Sequence, residues 1–149
     1  MQLPQDESPT YFIRSGLFQF LTACSHHYEL VLFTAALKVY ADYFLERLDP
    51  SKLFSHVLHR DHCEMLQDGS VIKNLARLGR DLATVVIVDN LEENFRLQQE
   101  NGIVVPDFVD DFEDRWLYVL ADFFVKMAKN RVTDLREVLS EYRDRYQDY

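Results

Sequence analysis

Short, unbroken apolar runs alternate along this chain with stretches whose apolar positions recur at helical spacing. Leu30-Val31-Leu32-Phe33, Val85-Val86-Ile87-Val88 and Ile103-Val104-Val105 are runs of the first kind, and each predicts a short buried strand. Leu17, Phe18, Leu21 and Cys24 predict a helix between Gly16 and His27. Leu37, Tyr40, Ala41, Phe44, Leu45 and Leu48 predict a second, closed at Asp49-Pro50 because the residue before a proline avoids the helical region. Trp116, Leu117, Leu120, Phe123, Phe124 and Met127 make a third stripe. Leu135, Val138, Leu139, Tyr142 and Tyr146 make a fourth, with Asp134 and Glu137 spaced as a capping box.

Between these lie weaker signals. Gln67-Asp68-Gly69-Ser70 separates Cys63-Glu64-Met65-Leu66 from Val71-Ile72 and predicts a small β-hairpin beside the main sheet. Leu91 to Gln99 reads as a turn or short helix, and Pro106 stops the strand before it. Strand, helix and strand alternate, and the strands are continuously apolar rather than of period two. That combination predicts an α/β fold, a parallel sheet covered by helices on both faces. Met1 to Thr10, with two prolines, two glutamines and two acids, reads as an extended lead-in, so the domain is expected over residues 11–149.

Composition narrows the function classes. A chain of 149 residues with 48% apolar content suits one globular core. A formal charge of -9 disfavours nucleic acid as a partner, since backbone binding depends on clustered Lys and Arg. Two cysteines, Cys24 and Cys63, are too few for a disulfide framework, so an intracellular, reducing compartment is expected, with nuclear, cytoplasmic and mitochondrial not distinguished. No apolar run approaches the roughly 18 residues of a membrane span.

Chemistry is expected where strands end, because ligands of an open parallel sheet bind outside the carboxyl ends of its strands. Thr34 follows the first run, and Ala35-Ala36 after it are small enough for backbone amides to approach an anion. Asp89-Asn90 follows the second, a position from which a carboxylate can hold Mg²⁺ together with substrate phosphate oxygens. Lys73 after the hairpin is a candidate point charge for a transferring phosphoryl group. Each has a plainer alternative as a helix cap or a solvated surface residue. His56, His59, His62 and Cys63 sit close in sequence, but in extended chain His59 points away from the other two histidines, so zinc is not expected. His59-Arg60-Asp61 echoes a kinase catalytic loop, yet Leu66 stands where that loop needs Asn.

Taken in order, Val31-Leu32-Phe33-Thr34-Ala35-Ala36-Leu37, Leu58-His59-Arg60-Asp61-His62-Cys63, Ile72-Lys73-Asn74-Leu75-Ala76-Arg77-Leu78-Gly79-Arg80-Asp81-Leu82 and Val86-Ile87-Val88-Asp89-Asn90 resemble one family. It is the small C-terminal-domain phosphatase, or NLI-interacting-factor-like, branch of the haloacid dehalogenase superfamily, and the resemblance runs from about Tyr11 to Tyr142. It implies a Mg²⁺-dependent protein serine/threonine phosphatase working through an aspartyl-phosphate. By motif, Thr34, Ala35 and Lys73 would bind phosphate, with Thr34 and Lys73 catalytic, Arg60 would orient phosphate, and Asp89 with Asn90 would arrange the metal. Two departures are local: Asn74 stands where the family has an aspartate, and Leu91-Glu92 replaces Ser-Pro.

The third departure decides activity. The family's nucleophile and general acid come from a D-x-D-x-[TV] first strand, and no such sequence occurs here. The family's first strand lies between the strands ending at Thr34 and Asp89, so without it those two stand about 10 Å apart, two inter-strand spacings. Either another segment fills the gap or the strands close up. The expectation is a chain that does not turn over, whose true start lies upstream, and whose partner is a phosphoprotein. The alternative is a catalytically dead protein-binding module, as in the mitochondrial inner-membrane translocase receptor that resembles this family. A domain without any ligand is the third reading.

Overall fold

The computed structural model describes residues 11–146, so the expected lead-in over 1–10 lies outside the described residues. Ten regular elements follow one another: α1 (Leu17–Ser25), β1 (Val31–Phe33), α2 (Lys38–Leu48), β2 (His56–Leu58), β3 (Glu64–Met65), β4 (Val71–Ile72), β5 (Ile87–Asp89), β6 (Gly102–Val104), α3 (Trp116–Lys129) and α4 (Leu135–Tyr146). Short 3₁₀ segments link them at Arg60–His62, Leu75–Leu78, Leu82–Thr84 and Glu92–Asn101.

The fold is α/β, as the alternation predicts, with strands in three two-stranded ladders among the described residues. β1 pairs parallel with β2, Leu32 opposite Val57. β5 pairs parallel with β6, Val88 opposite Ile103. β3 and β4 form the expected antiparallel hairpin, Glu64 opposite Ile72. β2 is a strand that the apolar pattern does not reveal, because its His56 is exposed and its Val57 and Leu58 are only half-buried. Among the described residues neither expected repair of the gap occurs: no strand pairs between β1 and β5, and no ladder joins them.

Side chains hold the two parallel pairs together instead. Arg80, ahead of β5, donates to both oxygens of Glu29, ahead of β1, at 3.0 Å each. At the other end Lys73 pairs with Asp89 and lies 5.9 Å from the Phe33 ring. The two pairs therefore point their carboxyl ends the same way.

Cover is uneven. The main core gathers Cys24, Ile103, Leu120, Phe124 and Leu139 from α1, β6, α3 and α4. Gly16 starts α1 with φ +85°, and the Tyr118 ring of α3 lies 2.9 Å from where its Cβ would stand. Ile87 and Asp89 of β5 are buried, whereas Val31, Leu32 and Phe33 of β1 are all half-buried. β1 is thus less deeply covered than β5, and among the described residues no strand pairs between the two.

Some boundaries shift for identifiable reasons. Val85 and Val86 precede β5 rather than opening it, because the Asn101 side chain donates to the carbonyls of Leu82 and Val85 at 2.6 and 2.9 Å. Gly102 opens β6 because a Cβ there would stand 1.9 Å from the buried Phe95 ring. At α4 the Asp134 carboxylate accepts from the Arg136 N–H at 3.0 Å, a cap one residue short of the Glu137 N–H that the expected capping box would use.

Candidate functional site

The carboxyl ends of β1 and β5 place the candidate residues. Asp89 closes β5, and its backbone carbonyl accepts from the Val105 N–H at 3.0 Å, which extends the pairing with β6 to the rim. Its carboxylate is surrounded by donors. Lys73 Nζ lies 2.6 Å from Oδ2, Leu91 N–H donates to Oδ1 at 3.1 Å, and Asn94 Nδ2 donates to the two oxygens at 3.1 and 3.2 Å. The Lys73 and Asp89 side chains are 10% and 5% exposed, so each charge depends on the other for compensation.

Asn94 also fixes Lys73 itself, since its carbonyl accepts the Lys73 N–H at 2.7 Å. One residue thus holds both members of the pair. No periodicity marks Asn94 in the sequence; it lies five residues beyond Asp89 in a 3₁₀ segment that looks like an ordinary polar turn.

Behind Lys73, Asn74 donates to Glu64 at 2.8 Å and accepts from Gln98 Nε2 at 2.9 Å. Gln98 in turn accepts the Leu75 N–H at 2.9 Å. An aspartate at position 74 would place its carboxylate against that of Glu64, whereas the amide satisfies it. The departure at Asn74 is matched by its neighbours.

Thr34 continues from β1. Its N–H donates to the Leu58 carbonyl at 2.9 Å, and its Oγ1 accepts the Ala36 N–H at 3.1 Å, leaving the hydroxyl proton out of that bond. Arg60 grips this turn twice, by its N–H to the Ala36 carbonyl at 2.9 Å and by Nε to the Ala35 carbonyl at 2.8 Å. These two bonds brace the turn from an exposed residue. The preceding residue, Phe33, brings the turn to Lys73. Cys63 lies within the fields of both Lys73 and Arg60: burial pushes its thiol up, and the two cations oppose that shift. The structure therefore brings Thr34, Ala35, Arg60, Lys73 and Asp89 to one end of the strands.

Asn90 turns away, donating to Asp107 Oδ1 at 2.8 Å. That bears on magnesium, which takes carboxylate, water and phosphate oxygens in an octahedron. Among the described residues no cluster of three His, Cys, Asp or Glu side chains suits a metal, and the one carboxylate here already carries an ammonium and an amide. The described residues alone do not fit a Mg²⁺ site. His62 Nδ1 accepts the His59 N–H at 3.0 Å, so it is engaged within its own 3₁₀ turn.

The family described as NLI interacting factor-like phosphatase matches residues 1–136. The chain belongs to that family. Its haloacid dehalogenase-like fold accords with the solved structure of the fission yeast RNA polymerase II CTD phosphatase Fcp1, determined as an arginine-to-alanine variant bound to beryllium fluoride: TM-score 0.53, 25% identity, covering 92% of this chain and 40% of that one. Among curated relatives, the mitochondrial import inner membrane translocase subunit tim50 of Aspergillus fumigatus is 38% identical over 129 residues, 87% of this chain and 26% of the relative. The probable C-terminal domain small phosphatase of Dictyostelium discoideum is 38% identical over 125 residues, 84% of this chain and 40% of the relative. The chain thus spans well under half the length of these family members.

Proposed function

We propose that these residues form the phosphate-holding part of a protein serine/threonine phosphatase-type domain, and that by themselves they bind a phosphorylated protein segment without hydrolysing it. The observation that supports this reading is the buried Lys73–Asp89 pair at the carboxyl end of β5, beside the Thr34 turn at the carboxyl end of β1. The Thr34 hydroxyl and the amide of Ala35 supply donors for phosphate oxygens, while the Ala36 N–H holds the Thr34 oxygen in place. Lys73 supplies positive charge held in place by Asp89 and Asn94, and Arg60 keeps the turn in shape. Covalent transfer needs a nucleophile within attack distance, and the sequence holds no D-x-D-x-[TV] pair to provide it. Magnesium enters this reading only with further oxygen donors from outside the described residues.

The test is phosphate release. The purified chain, given a phosphoserine peptide and Mg²⁺, is expected to release no phosphate above the rate without protein. Release that is abolished by Asp89→Ala would overturn the non-hydrolysing part of the proposal.

A second reading rests on the translocase relative, which is as similar to this chain as the small phosphatase is. In it the same fold recognises an unphosphorylated protein segment in an intracellular import complex. Equal affinity for phosphorylated and unphosphorylated forms of one peptide would favour it. No helix among the described residues is long and apolar enough to cross a membrane.

A further inference from the structure

The loop after β6 holds apolar side chains out in water. Val109 is 72% exposed, Phe112 64% and Phe12 53%. Phe12 and Phe112 meet edge to face with centroids 5.6 Å apart, so they form one patch from two distant stretches of chain.

The patch is displayed on a fastened loop. Arg14 donates to the two oxygens of Asp114 at 3.0 and 2.6 Å and to the Pro106 carbonyl at 2.8 Å. Ser15 Oγ donates to the Phe112 carbonyl at 3.1 Å, and the Arg14 guanidinium lies 5.7 Å from the Phe108 ring. A loop held by this many bonds keeps its aromatic groups exposed in a fixed arrangement. Exposed apolar area of this kind marks interaction surfaces in soluble proteins.

The surrounding charge says what covers it. Asp110, Asp111 and Glu113 are exposed between and beside the apolar residues, and among the described residues the loop's one ion pair is that of Asp114. Such a surface repels nucleic acid and anionic lipid and draws cationic segments, raising their encounter rate. The loop starts against the candidate site: Asn90 donates to Asp107 at 2.8 Å, and Val105 N–H to the Asp89 carbonyl at 3.0 Å.

We propose that this acidic, aromatic lip docks a protein segment in which an apolar residue is flanked by Lys or Arg, and that it selects which phosphoprotein reaches the Thr34–Lys73 rim. The second half rests on the proposed function; the first does not. The matching substrate is bipartite, its phosphate turned to Lys73 and its basic and apolar residues turned to Val109, Phe112 and their neighbouring acids. Burial of the exposed rings supplies affinity, and the acids supply the preference for one charge over the other.

Fluorescence anisotropy on the full chain tests both halves with labelled peptides of four designs: basic with an apolar centre, basic with that centre replaced by Ser, acidic with an apolar centre, and the first of these phosphorylated. The basic apolar peptide is expected to bind best among the unphosphorylated three. Val109→Ser with Phe112→Ser weakens it by about tenfold or more, the scale of losing one interface anchor. Asp110→Lys with Glu113→Lys reverses the charge preference toward the acidic peptide. Equal affinity for basic and acidic peptides, or an unaffected double serine variant, overturns the proposal. So does binding of the chain to anionic vesicles through these residues, or a dimer that the serine variant dissociates. A phosphate that adds nothing while the charge preference persists would sink the phosphate-rim reading alone and leave the lip standing.

Discussion

The ammonium of Lys73 stands 2.6 Å from Oδ2 of Asp89, with both side chains almost withdrawn from water. A pair placed this way stabilises geometry more than it stabilises the fold, since most of its Coulomb attraction offsets the cost of desolvation. Removing one partner strands the other charge. Lys73→Met or Asp89→Leu alone is expected to cost about 3–5 kcal/mol in urea denaturation, and the double change Lys73→Met with Asp89→Leu to recover most of that loss. Single variants as stable as the parent would show that the pair is not buried in solution.

Asn74 and Glu64 make a second, cheaper test. Asn74→Asp sets two carboxylates against each other at a position where 2.8 Å now separates donor from acceptor. A loss of about 1–2 kcal/mol is expected from thermal melts, and Glu64→Gln in the same chain should restore most of it.

How far the sequence reveals this molecule depends on which physical signal each residue carries. The helix stripes ending at Met127 and Tyr146 were legible because Leu117, Leu120, Phe124 and Leu139 are core residues at helical spacing. Thr34, Lys73 and Asp89 stand out as candidates because each follows an apolar strand or the hairpin, where a polar residue is conspicuous, and the fold brings them to one end of the strands. β2 was hidden: three residues with an exposed histidine carry no period, and only its pairing with β1 makes it a strand. Asn94 was hidden for a related reason, because its part depends on contacts made across the fold to residues 73 and 89. The early start of β6 reflects the Phe95 ring against Gly102, a steric fact without a sequence pattern. Arg60 is a candidate phosphate contact by motif alone, and its bonds to Ala35 and Ala36 emerge only from the folded turn.

Arg14 and Asp114 set an acid limit. The Arg14 guanidinium bonded to Asp114 holds its carboxyl below the usual range, against the opposing effect of burial. Because the folded pKa is the lower one, the stabilisation is complete above the unfolded carboxylate value of about 3.9 and is lost as pH falls through the folded value. Trp116, the one tryptophan, donates its backbone N–H to Asp114 Oδ1 at 3.1 Å and reports the event. Trp116 fluorescence should change on acidification below about pH 4, and Arg14→Gln should move that change to higher pH. Coincident acid transitions in the two proteins would contradict the latch.

The two thiols should react unequally. Burial pushes the Cys24 thiol up to about 11, while Cys63 is only half-buried and has Lys73 and Arg60 opposing its upward shift. With iodoacetamide at pH 8, mass spectrometry should show Cys63 alkylated in the native chain and Cys24 only after denaturation. Equal native rates would contradict the packing of Cys24 against α3.

The central claim is that the Thr34 turn and Lys73 face one anion, and amide NMR during titration with inorganic phosphate tests it most directly. The signals of Ala35, Ala36 and Lys73 are expected to move together along one saturable curve, and those of Ala35 and Ala36 to stay still in the Lys73→Met, Asp89→Leu double variant. Curves that differ between the turn and Lys73, or no saturable movement in the parent chain, would contradict it.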